Sequence, residues 1–380
     1  MNTDVNSITT DFDLLSRVGK LRVAVISDSA PERNGVGTYY VDLLRHLQSR
    51  LETSELFCPT IEEGKWQAGL VFPLPGDSTQ KLCMPNPFTM QRYLNRVNPD
   101  VIIIATPGVY GLVGAFLAGR MKVPAIAGFH TSFKQLTDLY WHNSAAGKIV
   151  HGYFKVSNNY LFRKCQIVLA NSEEMVQQAR QLKPRKVQLI GTVISPVFTA
   201  PKLKKYQGCF TRILFAGRLA PEKNINAIIS AARSIPEMEF SLAGDGPLRE
   251  QVKKATKELP NLHFLGWLER DALREQIDSH DALILPSFFE SFGTIALEAM
   301  ARQRLVIVSP GCGIAAWKEF VDGLYIMNND DLIAILKEVK NLSPDSRIHK
   351  AILAQHLTRQ LNDKNLTQWY RVLLENCRRK

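Results

Sequence analysis

The chain has 380 residues, 45% of them apolar and 22% charged; this excludes a mainly disordered polypeptide, and the length suits two domains of ordinary size. Six scattered cysteines, with no Cys-x-x-Cys and no Cys/His cluster, exclude a disulfide scaffold and a structural zinc module and favour a reducing compartment. The formal charge of +11 is shared by both halves, which suits an anionic partner such as a phosphorylated substrate or an acidic membrane surface. No nucleic-acid-binding signature accompanies it, so nucleic acid is not an expected partner.

Residues 1–20 are polar and read as a disordered lead without the apolar core of a secretory signal. Asp11-Phe12-Asp13 has the form of a metal-binding Asp-x-Asp, but it precedes the first strand and reads as chance; no metal site is expected. A strand over 21–27 is followed by a loop and a helix over 37–50. Gly35 and Gly37 in that loop let a ligand approach the backbone, but the dinucleotide fingerprint fails. Its first glycine comes eight residues past the strand, and Tyr40 stands where the third belongs.

Further strands are expected at Glu55–Cys58, Val101–Ala105, Ala125–Phe129, Ile167–Ala170 and Lys186–Ile190. The uncharged run 101–119 is long enough to suggest a membrane span, yet Pro107 and Gly108 divide it into strand, turn and helix. From Leu139 to Ser172 there is no acidic residue, while Lys148, Lys155, Arg163 and Lys164 alternate with Tyr153, Phe154, Tyr160 and Phe162, after Tyr140 and Trp141. That mixture fits either docking on anionic lipid or a helix pair with core aromatics and solvated lysines.

Gly191–Tyr206, with Pro196 and Pro201, reads as a linker. Strands and helices then resume: strands at Arg212–Ala216, Glu239–Ala243, His263–Leu265, Ala282–Leu285 and Val306–Ser309, helices at Lys223–Ser234, Gly246–Leu259, Asp271–Ser279 and Gly293–Arg302. The fold class is therefore α/β, with two doubly wound Rossmann-like domains over 21–195 and 207–365. Their parallel sheets are expected to face a cleft, because such sheets bind ligands beyond the carboxyl ends of their strands. A last helix, Leu366–Arg379, carries Leu366, Trp369, Tyr370, Leu373 and Leu374 on one face and must pack on something.

The segment PSFFESFGTIALEAMA (286–301) holds most of the chemistry. Its helix starts near Gly293, so the backbone N–H groups of Phe292, Gly293 and Thr294 form an anion site. Glu290 and Glu298 on either side of it are placed to accept hydrogen bonds from hydroxyls. The alternative is a capped helix with two exposed glutamates. In FAGRLAPEKN, Gly217 ends a strand, and Arg218 and Lys223 are a forked and a compact cation suited to a diphosphate. Gly244 and Gly246 in AGDGPL would bring the backbone close to a ligand, and His130 at a strand's carboxyl end would point at one.

The motifs GRLAPEKN, AGDGPL, FLGWL and PSFFESFGTIALEAMA, in this order, resemble retaining glycosyltransferases of family 4 with the GT-B fold. The resemblance implies that Arg218 and Lys223 hold the diphosphate of a nucleotide sugar and that Glu290 holds the donor sugar. Glu298 would hold the ribose, and Phe292, Gly293 and Thr294 phosphate and sugar oxygens. Gly35 and Gly37 match the N-terminal glycine loop, and His130, in GFHTSF, matches the histidine beside the donor sugar; that form is similar to transferases acting on glycolipids or phosphoinositides. The resemblance further implies an acceptor-binding first domain, a donor-binding second domain and a last helix (366–380) packing back onto the first. No cofactor or metal is expected beyond a UDP- or GDP-linked hexose as co-substrate, with a lipid or cell-envelope glycan as acceptor and a cytoplasmic site at the inner face of the membrane. Two segments depart from the family pattern: GTVI (191–194), and GCGIAAWKE (311–319) with Cys312 and Trp317. Rival readings are a GT-B sugar-nucleotide 2-epimerase, a nicotinamide oxidoreductase, whose fingerprint fails, and a non-catalytic sugar-nucleotide binder.

Overall fold

The computed structural model describes residues 13–31, 35–62, 65–67, 70–74, 77–130, 145–200, 202–329 and 331–378. The chain forms two compact units, one ending at Val193 and regaining Asp363–Lys380, the other Ile194–Asn362, with Asp77–Thr79 grouped with the second.

In the first unit, β1 (Arg22–Ile26) and β2 (Thr53–Phe57) precede two short two-stranded pieces, β3 (Thr60–Glu62) with β4 (Lys65–Gln67) and β5 (Leu70–Leu74) with β6 (Asp77–Met84). The main sheet continues with β7 (Val101–Ile104), β8 (Ala125–Phe129), β9 (Ile167–Ala170) and β10 (Val187–Leu189). All six of its strands are parallel, in the order β10-β9-β8-β7-β1-β2. β7, β8 and β9 are buried along their whole length, which is why they read as unbroken apolar runs: both faces are covered. Val23 and Val25 face the side covered by the helix Gly35–Gln48, while Ala24 and Ile26 face the helices Pro87–Val97 and Val109–Arg120.

The second unit repeats the plan with β11 (Arg212–Ala216), β12 (Glu239–Ala243), β13 (Leu262–Gly266), β14 (Ala282–Leu285), β15 (Leu305–Val308) and β16 (Tyr325–Ile326). These too are all parallel, in the order β13-β12-β11-β14-β15-β16.

Two expectations need correction and one needs refinement. Residues 13–18 are helical and Val18 is fully buried beside Leu21 and Leu43, so this part of the expected disordered lead belongs to the first core. Gly191–Tyr206 does hold the boundary between the units, at Val193 and Ile194, but it is packed: Val193, Ile194 and Phe198 are at most 1% exposed, and Pro196–Thr199 is a helical turn. Its carbonyls bond to side chains, Ala200 to Arg302 and Lys204 to Arg304, which removes any periodic signal. Finally, the last helix does not begin at Leu366 but runs from Pro344 to Glu375; its Trp369, Tyr370 and Leu373 pack with Leu43 and Leu47 of the first unit. The pieces β3 to β6 have no counterpart among the strands expected from the sequence: β3 and β4 are three residues each, and Pro73 and Pro75 interrupt the run around β5.

No helix among the described residues is long and apolar enough to cross a membrane. The uncharged run forms β7, a turn and the helix Val109–Arg120. In the helix Ala145–Lys164, Phe162 is fully buried edge-on to Phe129, as a core aromatic should be. Ile149, Tyr153 and Val156, spaced by four and three, are instead 73%, 41% and 70% exposed, with Lys148 and Lys155 exposed beside them. Tyr140 and Trp141 lie outside the described residues.

Candidate active site

The chain starts the second sheet at β11, builds outward through β12 and β13, then crosses back to β14. Loops leaving the carboxyl ends of β11 and β14 therefore diverge and open a crevice, the place where doubly wound sheets bind ligands. The loop after β11 carries Gly217, Arg218 and Lys223; the loop after β14 carries Glu290, Phe292 and Gly293.

Local bonds fix both loops. A single 3-10 turn over Pro221–Lys223 ends at Asn224, which is left-handed, and the Phe288 amide donates to the Glu222 carbonyl at 2.9 Å, tying the loops together. The Glu290 amide donates to the Gly311 carbonyl at 3.0 Å and its carbonyl accepts from the Gly313 amide at 2.8 Å, a bridge to the segment around Cys312. Phe292 is buried edge-on to Trp317, so both residues at unusual family positions brace this loop. The helix Thr294–Ala301 starts from Gly293 at φ +94°, a conformation that disfavours any side chain and leaves no cap over the first amides.

The charges meet as follows. Lys223 Nζ donates to Glu290 Oε2 in a partly buried ion pair. Burial opposes the ammonium charge, but the Glu290 carboxylate and nearby Glu222 outweigh it, and the Lys223 pKa lies above the ordinary value. Arg218 lies 3.7 Å from the buried Glu222; burial lowers its pKa against the pull of that carboxylate, and an arginine stays charged regardless. Two cations and a helix start thus converge on one crevice with a carboxylate against each cation.

Glu298 is only 2% exposed and accepts from Arg270 Nη2 at 2.8 Å, while the Arg270 guanidinium lies 4.6 Å from the Phe198 ring centre. The expectation of a solvent-facing alternative for Glu298 is therefore excluded. Sequence reasoning missed Arg270 and Glu222. A signal existed for Arg270: it opens the helix Arg270–Ser279, where a cation opposes the helix dipole.

Gly244 and Gly246 stand at φ +139° and +156°, where a side chain is strained. A Cβ on Gly244 would stand 1.8 Å from the Gly217 carbonyl oxygen, and one on Gly246 2.5 Å from that of Leu219. They let the 244–246 turn press against the Arg218 loop. Gly37 likewise abuts Ala30, whereas no atom of the described residues lies within 4 Å of a Cβ built on Gly35. His130, at the carboxyl end of β8 in the first unit, is 9% exposed with Nε2 2.8 Å from the Tyr40 hydroxyl, and burial pushes its pKa down to about 4.

Two family models match, "Glycosyltransferase Family 4" over residues 33–197 and "Glycosyl transferases group 1" over residues 207–356. With the two parallel Rossmann-like sheets of the GT-B fold, this places the chain among the group 1 glycosyltransferases, a class that uses nucleotide sugars. Among its relatives is a GDP-mannose-dependent alpha-mannosyltransferase of Corynebacterium glutamicum, 26% identical over 80% of this chain and 76% of that one. Alpha-monoglucosyldiacylglycerol synthase of Acholeplasma laidlawii is 22% identical over 84% and 88%. Sulfoquinovosyl transferase SQD2 of Arabidopsis thaliana is 24% identical over 58% of this chain, which spans 44% of that relative's length. The solved structure of Anabaena Alr3699/HepE with UDP and glucose shares the fold, with a TM-score of 0.67, 18% identity and coverage of 93% and 99%.

Proposed function

We propose that the protein transfers a hexosyl group from a UDP- or GDP-linked sugar to an acceptor hydroxyl on a glycolipid or cell-envelope glycan, with retention of configuration and no metal. The donor binds the second unit and the acceptor the first. The observation that carries this reading is the convergence of Arg218, Lys223 and the amides of Gly293 and Thr294 at the β11/β14 crevice, beside Glu290. Fixed cations and a helix start oppose the charge that grows on a departing diphosphate, which is the part a metal plays elsewhere. Glu290, oriented by Lys223, accepts from hydroxyls of the sugar; Glu298, oriented by Arg270, accepts from those of the ribose. The leaving phosphate oxygen takes the acceptor's proton on the same face, so the new bond forms where the old one broke. A relative named for GDP-mannose-dependent mannosyl transfer supports a nucleotide-linked hexose as donor, and one named as a monoglucosyldiacylglycerol synthase supports a lipid as acceptor. The exposed Ile149, Tyr153 and Val156 stripe with Lys148 and Lys155 supports docking of the first unit on an anionic membrane surface.

The test is a thermal-shift screen of UDP- and GDP-sugars followed by transfer assays on lipid and glycan acceptors, with the product anomer read by NMR and the rate repeated in chelator. Lys223→Ala should cost on the order of 10²–10³ in kcat. Turnover within about threefold of wild type would remove Lys223 from the mechanism.

A further inference from the structure

In the sequence Tyr40 only spoils a dinucleotide fingerprint; in the structure its phenol meets His130. Tyr40 is fully buried on the helix Gly35–Gln48, and its ring stands edge-on to the imidazole, 80° between planes. Its hydroxyl lies 2.8 Å from His130 Nε2. Gly128 makes room for that contact: a Cβ there would stand 2.2 Å from the Tyr40 hydroxyl and 2.8 Å from His130 Nε2. Tyr39 closes the other side, its ring centre 5.0 Å from that of His130, and is itself held by Trp369, whose Nε1 donates to the Tyr39 hydroxyl at 2.9 Å.

The chemistry of the pair decides its direction. Burial keeps both phenols protonated, and it keeps the imidazole neutral at neutral pH. A phenol is a stronger acid than an imidazole N–H, and an imidazole nitrogen a stronger base than a phenol oxygen, so the bond runs O–H to N. That places the ring hydrogen on Nδ1, since the partner of one ring nitrogen determines the state of the other.

We propose that Tyr40 is a positioning residue for His130 within the first unit: its hydroxyl donates to Nε2 and holds the ring as the Nδ1–H tautomer, so that a substrate bound at the carboxyl end of β8 would meet His130 as a hydrogen-bond donor and not as a base. This rests on the proposed transferase reading, in which the leaving phosphate, not a side chain, takes the acceptor's proton. It also explains why glycine occupies position 128.

The test is a long-range proton–nitrogen correlation spectrum of the full chain labelled with ¹⁵N-histidine, with the His130 signals identified by their loss in His130→Asn. Wild type should show the Nδ1–H pattern; Tyr40→Phe should move it to the Nε2–H form or to an average of the two, and Gly128→Ala, which forces the pair apart, should do the same. A wild-type Nε2–H pattern, or one unchanged in Tyr40→Phe, overturns the proposal. In transfer assays Tyr40→Phe should lower kcat about tenfold with the donor KM within about twofold. A change confined to KM, or none, overturns it as well. Should the wild type transfer no sugar from any nucleotide donor, the transferase reading fails, while the spectra still decide the Tyr40–His130 bond.

Discussion

His130 shows how burial alone can fix what a titratable group does. Its pKa falls to about 4 because the ring is enclosed by Tyr39, Tyr40 and the strand that carries it, and neither phenol ionises near neutrality. A base whose folded pKa is depressed contributes stability that is present above its unfolded value, near 6.5, and is lost as pH falls through about 4. Across the working range the ring carries no charge. The expected pH profile of kcat/KM therefore has no limb near 6.5; an acid limb there that vanishes in His130→Asn would show a histidine that titrates in solution. The residue type and its place at a strand end were legible in the sequence, whereas its protonation state was not, because the groups that enclose it come from a helix ninety residues earlier.

At the scale of an element, the helix Val109–Arg120 illustrates a cap supplied from elsewhere. Gly108 at its N-cap has no side chain to offer, and the Asp28 carboxylate, at the carboxyl end of β1, accepts from the Tyr110 amide at 2.7 Å, the Gly111 amide at 3.3 Å and the Thr106 hydroxyl at 2.6 Å. Burial outweighs these bonds and raises the Asp28 pKa to about 6. An acid whose folded pKa is raised stabilises the fold most below its unfolded value, near 4, and that contribution is lost as pH rises through about 6. Asp28→Asn removes this dependence. The deficit in Tm of the variant against wild type should be smaller at pH 7 than at pH 4.5 by about 3 °C or more. An equal deficit at both values would mean that Asp28 does not titrate in this window. The same element-level view explains why the loops of the second unit were readable: a glycine, a helix start and a cation lie within a few residues of one another, whereas the Arg270 partner of Glu298 lies 28 residues away in the chain, on another helix.

For the whole molecule, surface and topology matter together. The stripe Ile149, Tyr153 and Val156 gives the proposed membrane contact a definite test. Ile149→Asp with Val156→Asp should abolish co-sedimentation with phosphatidylglycerol vesicles while leaving transfer to a soluble acceptor analogue within about twofold of wild type. Unchanged sedimentation would place any lipid contact elsewhere.

Apolar runs, breakers and glycines close to helix starts act over a few residues, and from them the sequence by itself determined that the chain holds two parallel α/β units with charged loops at their strand ends. Only the tertiary structure decided which charge meets which: Lys223 with Glu290, Arg218 with Glu222, Arg270 with Glu298, Tyr40 with His130. It also decided that Val18 of the lead packs into the first core, that the segment joining the units after Gly191 is buried, and that the last helix begins at Pro344. The physical reason is range. Propensity is written in neighbouring residues, but the pairing of distant charges and the burial of short irregular segments follow from strand order, and strand order is settled only when the sheets pack.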